Sequence, residues 1–102
     1  MDRLQAISAF VAVVENGSFA RAASRLDQSV SAVSRQVADL ERHLDARLLN
    51  RTTRRLSLTE PGRAFHERAV QLLADLEEAE QGASAGGMTP RESMPAWVQW
   101  VM

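Results

Sequence analysis

Two clusters of side chains carry the chemistry in this sequence. Ser29, Ser31, Ser34 and Arg35 fall within seven residues, and Arg51, Arg54 and Arg55 within five. Short hydroxyls beside a guanidinium make hydrogen bonds to fixed acceptors. The forked donor of arginine matches a phosphate, or the O6/N7 edge of guanine, better than a lysine ammonium does. All 12 long-chain cations of the sequence are arginine. Other chemistries are poorly supplied. With no Cys and no Tyr, no Gly-rich phosphate loop and no clustered acid–base pair, the sequence offers no catalytic residues and no cofactor site. His43 and His66 are too scattered for a metal centre and read as surface or helix-packing residues.

The net charge of −1 conceals a division. Residues 17–66 hold nine Arg against five acids, a surplus of +4, whereas residues 67–102 hold two Arg against six acids, a deficit of −4. A basic middle points to a polyanionic partner and the acidic end to a different surface. A length of 102 residues, with 45% apolar and 25% charged residues, fits one soluble domain. No apolar stretch reaches the roughly 20 residues of a membrane span, and Met1-Asp2-Arg3 opens no signal-peptide core. The expected compartment is the cytoplasm, with no membrane partner.

The elements that must position the two clusters follow from periodicity. Leu4, Ile7, Phe10, Val11 and Val14 predict a helix over residues 2–15, stopped by Asn16-Gly17. Ser18 caps a short second helix over 18–26, marked by Phe19, Ala22, Ala23 and Leu26. Its alanine pair leaves room for a close helix crossing. After Asp27-Gln28, Ser29 caps a third helix reaching Leu44, with Val33, Val37, Leu40 and Leu44 as the buried stripe. Ser31, Ser34, Arg35 and Gln36 lie off that stripe and face outward. Leu48-Leu49 and Leu56-Ser57-Leu58 predict two short strands around the basic loop. Thr59-Glu60-Pro61-Gly62 opens a last helix of roughly 20 residues. Its seam of Phe65, Ala69, Leu72, Leu73, Leu76 and Ala79 is long enough to want a partner.

Three helices followed by a two-stranded basic ribbon form a mainly α winged helix-turn-helix pattern. A helix about 10 Å across fits the major groove of double-stranded DNA, and the ribbon reaches backbone or minor groove. Several ordered blocks carry a family resemblance. They are Phe10-Val11-Ala12-Val13-Val14-Glu15-Asn16-Gly17-Ser18-Phe19, Ala22-Ala23-Ser24-Arg25-Leu26, Ser31-Ala32-Val33-Ser34-Arg35-Gln36-Val37 with Leu40-Glu41, Leu48-Leu49-Asn50-Arg51-Thr52-Thr53-Arg54, and Leu58-Thr59-Glu60-Pro61-Gly62. Over about residues 1–82 the chain resembles the N-terminal DNA-binding domain of LysR-type transcriptional regulators. The resemblance implies a homodimer built on the long helix, followed by a hinge and an effector-binding domain. Residues 82–90 resemble the hinge, but Glu92 onward does not resemble such a domain. The sequence therefore reads as a truncated member.

The expected organisation is a DNA-binding domain over 1–59, a dimerisation helix over 60–81 and an irregular tail over 82–102 that includes Trp97 and Trp100. The expected DNA contacts are Ser18, Arg25, Val30, Ser31, Ala32, Ser34, Arg35, Arg51, Thr52, Arg54 and Arg55. Val30 and Ser31 stand where the family frequently has Gln and Pro, so Val30 either meets a thymine methyl or enters the core. The competing role for Arg35 is a surface ion pair with Asp39. Phe65, Ala69, Leu72, Leu73, Leu76 and Ala79 are the expected dimer seam. Heterodimers with full-length relatives are a second partnership that the missing domain invites. The acidic heptad helix and apolar tail also fit a dimerising protein–protein interaction module that modulates full-length regulators without touching DNA.

Overall fold

The computed structural model describes residues 1–51 and 55–84. The order is α1 (Arg3–Asn16), α2 (Phe19–Leu26), α3 (Val30–Leu44), β1 (Leu49–Arg51), β2 (Leu56–Leu58) and α4 (Glu60–Ser84). Each helix starts on a side chain that satisfies an orphan backbone N–H. Asp2 Oδ1 accepts from Gln5 N at 3.1 Å, Ser18 Oγ from Arg21 N at 3.0 Å, Ser29 Oγ from Ala32 N at 3.1 Å, and Thr59 Oγ1 from Gly62 N at 3.0 Å. The ends of the first three are left-handed. Gly17 (φ 72°) closes α1, Asp27 (φ 56°) closes α2 and Asp45 (φ 52°) closes α3.

The chain divides into two compact units, Met1–Gln71 and Leu72–Met102. In the first, α1 packs against α2, α3 and β2. It is buried on more than one side, at Ala6, Ile7, Ala9, Phe10, Val11, Ala12 and Val13. This corrects the single stripe expected from spacing: Leu4 is 46% exposed, and Val14 is half-buried. A helix wrapped by several neighbours buries nearly its whole circumference, and small Ala residues allow the close approach. Phe10 is fully buried, with its ring 5.8 Å from that of Phe65 and 6.1 Å from that of His66. Ala22 and Ala23 are buried in α2, as their size led one to expect.

In α3 the buried face is Val33, Val37, Leu40 and Glu41. Leu44, expected on that stripe, lies at the surface, in the last turn of α3. Strands β1 and β2 pair antiparallel, Leu49 opposite Leu58 and Arg51 opposite Leu56. Helix α4 begins where the sequence places it but continues to Ser84, through Gly82 and beyond the expected end near residue 81. Gly within a helix costs about 1 kcal/mol relative to Ala, a cost the preceding turns absorb. In the second unit Leu72 and Leu76 are 48% and 36% exposed. No helix among the described residues is long and apolar enough to cross a membrane.

Gly62 is the tightest joint. Thr59 N donates to Leu48 O at 3.0 Å, which brings the first turn of α4 onto the backbone ahead of β1. A Cβ on Gly62 would lie 1.9 Å from that same Leu48 carbonyl oxygen. Gly62→Ala is therefore expected to destabilise the fold by about 3 kcal/mol in denaturant unfolding. Gly82→Ala, with nothing within 4 Å of the added methyl, should be neutral or stabilise by up to about 1 kcal/mol.

Candidate nucleic-acid interface

The first two turns of α3 present the polar cluster predicted from sequence. Val30, Ser31 and Arg35 are exposed, and Ala32 and Ser34 are half-buried. On a helix Val30 stands one turn from Ser34, and Ser31 one turn from Arg35, so the four define a single patch. Ser29 Oγ lies 3.3 Å from Ser31 Oγ, and either group is able to donate. The competing ion pair of Arg35 does not form, since Asp39 instead bonds Arg42, one turn further along α3. No described residue pairs with Arg35. Arg25 is exposed in the last turn of α2. Ser18 is half-buried, with its hydroxyl engaged as a cap.

A contact that sequence reasoning missed ties the turn before α3 to its middle. Gln36 Nε2 donates to Gln28 Oε1 at 2.9 Å, while Gln36 Oε1 is buried without a partner. Gln36 was expected to face outward; the half-buried position and the bond to Gln28 correct that expectation. The proximity of Gln28 across the turn draws the amide inward.

The largest omission is Glu41. Its side chain is 7% exposed, on the face of α3 that turns toward the ribbon. Oε2 accepts from Leu48 N at 2.8 Å and Leu49 N at 3.2 Å, and Oε1 accepts from Arg51 Nη2 at 3.1 Å. Arg47 approaches Oε1 at 3.6 Å from a largely exposed position. Arg51 also lies over the Phe19 ring, 5.4 Å from its centroid. Arg51, an expected DNA contact with Arg54 and Arg55, is an exposed residue whose guanidinium also meets Glu41 and Phe19. The signal available in the sequence was an acid directly after Leu40, one turn past Val37, with Arg47 and Arg51 close by. Arg55 is exposed. Thr52 and Arg54 lie outside the described residues.

The expected dimer seam falls in two places. Phe65 is half-buried against Phe10, and Ala69 is 2% exposed, so both serve the packing of the first unit. In the second unit Leu72, Leu76 and Ala79 are exposed and Leu73 is half-buried.

Residues 4–63 match the model of the bacterial regulatory helix-turn-helix proteins of the lysR family. Among curated proteins, the chain is 49% identical over 90 residues to a transcriptional repressor of Pseudomonas aeruginosa, covering 88% of this chain and 28% of that protein. It is 53% identical over 74 residues to the transcriptional regulator CrgA of Neisseria meningitidis, covering 72% of this chain and 25% of the relative. The chain thus spans about a quarter of the length of these relatives. Among solved structures, it resembles the DNA-binding domain of BenM bound to catB site 1 DNA, with a TM-score of 0.79 and 34% identity, over 86% of this chain and 99% of that one. The DNA-binding domain of CbnR bound to DNA is similar at a TM-score of 0.76 and 34% identity, over 86% of this chain and 100% of that one.

Removing the Glu41 carboxylate leaves two buried N–H groups and a partly buried guanidinium without their acceptor. Glu41→Ala is expected to cost about 3 kcal/mol in urea unfolding, and Glu41→Gln less, since the amide oxygen still accepts. Arg47→Ala, at the exposed end of the network, should change stability by no more than about 0.5 kcal/mol.

Proposed function

The chain belongs to the lysR family of bacterial regulatory helix-turn-helix proteins, and we propose that it is a sequence-specific double-stranded DNA-binding module of a transcription regulator. The observation that carries this reading is the patch of Val30, Ser31, Ser34 and Arg35 on the opening turns of α3, with a ribbon anchored to the same helix through Glu41. The likeness of the chain to domains bound to DNA supports it. In this reading α3 enters the major groove. Arg35 donates its fork to a guanine or a phosphate, and Ser31 and Ser34 supply short-range hydrogen bonds. Arg25, Arg54 and Arg55 neutralise phosphates, as does the capped N-terminus of α2 at Ser18. Arg51 acts behind them by holding the ribbon in place. The exposed Leu72, Leu76 and Ala79, with Leu73, form the seam of a homodimer that places two α3 helices on a pseudo-palindromic site.

Selection of bound sites from random duplex DNA tests this. A recurrent motif whose affinity falls steeply with salt is expected; binding that shows no sequence preference overturns the reading. Arg35→Ala should lose about 10- to 100-fold in affinity for the preferred site and little elsewhere. Arg55→Ala should weaken all sequences alike and lower the salt slope by about one. In sedimentation, Leu72→Glu combined with Leu76→Glu should convert a dimer into a monomer; an unchanged dimer removes the seam.

A further inference from the structure

We propose that Val30 reads a thymine methyl group, so that the preferred DNA site carries an A·T pair beneath the first turn of α3. The inference rests on the duplex-binding reading above. Val30 is the first residue of α3 and is 49% exposed, whereas Val33 and Val37 on the following turns are fully buried. Core packing therefore does not account for Val30. Its flanking residues are small, and the Ser29 hydroxyl is engaged locally: it takes the Ala32 N–H and lies 3.3 Å from Ser31 Oγ. The isopropyl group is thus the large side chain of that turn. It has no atom that donates or accepts a hydrogen bond. A base edge that meets it must offer an apolar group, and in the major groove that group is the C5 methyl of thymine. Branching at Cβ keeps χ1 nearly fixed, so little rotamer freedom is lost in the contact. Arg35 and Ser31, on the neighbouring row of the same patch, supply hydrogen-bonded recognition; Val30 supplies recognition by shape and dryness.

The test removes the methyl from the DNA and leaves the protein intact. A preferred duplex is selected from a random pool with the full chain, then resynthesised with single thymines replaced by deoxyuridine, which preserves base pairing. At least one replacement should weaken wild-type binding about fourfold, the worth of one buried methyl group. Val30→Ala should bind that duplex and its uracil form alike, while Val30→Thr, which keeps a methyl, retains part of the difference. Selective wild-type binding with no uracil-sensitive thymine overturns the assignment and leaves the duplex-binding reading standing. A Val30→Ala protein with undiminished sensitivity at every thymine does the same. Absence of any selective binding by the wild type removes both readings together.

Discussion

The carboxylate of Glu41 is the constraint on which the first unit depends. A charged side chain on the inner face of a helix loses its water and has to be repaid by neighbours. Here two successive backbone N–H groups, at Leu48 and Leu49, and one guanidinium, at Arg51, provide that compensation. All three lie at the entrance to or within the ribbon. One group therefore fixes where the chain leaves α3, where β1 begins and how the ribbon stands relative to the helix that carries Arg35. Apolar packing alone gives no such directional definition, since it tolerates sliding that hydrogen bonds do not.

This arrangement redistributes the roles of the arginines. By composition Arg51, Arg54 and Arg55 look alike, three cations in one loop. By structure Arg51 and Arg55 are both exposed, and the Arg51 guanidinium is in addition held by Glu41 and lies over Phe19. A count of basic residues thus overstates the charge that a ribbon presents. Likewise the Asp39–Arg42 pair keeps a nearby carboxylate away from Arg35. The acids of α3 are as important to the patch as its cations: one builds its support, and another is diverted from neutralising it.

Much of the fold was legible in the residues. Ser18, Ser29 and Thr59 announce helix starts through hydroxyls that accept backbone N–H bonds, and Gly17 announces an end through its left-handed conformation. These are local signals. The errors were tertiary. Spacing in α1 cannot tell that three elements surround it, so it points to Leu4 as a core residue and passes over Ala6, Ala9 and Val13. Phe65 and Ala69 share the seven-residue repeat of Leu72 and Leu76, and Phe65 also meets Phe10, a contact across 55 residues that periodicity does not carry. Glu41 was invisible for the same reason. A glutamate beside a hydrophobic stripe is ordinarily solvated, and only the return of residues 47–51 encloses it. Of the candidate site, the exposed patch on α3 was readable because it needs no partner within the chain.

The two aspartates that close α2 and α3 have a consequence for how this domain tolerates change. Asp27 and Asp45 hold positive φ angles, a conformation in which a Cβ meets the following carbonyl and which glycine occupies freely. Both joints flank α3, and neither belongs to the patch proposed to meet a base. The molecule thus carries latent tension at the turns on either side of α3 and not at the proposed contact patch. Selection or engineering has room there to harden the fold while leaving the exposed face of α3 untouched.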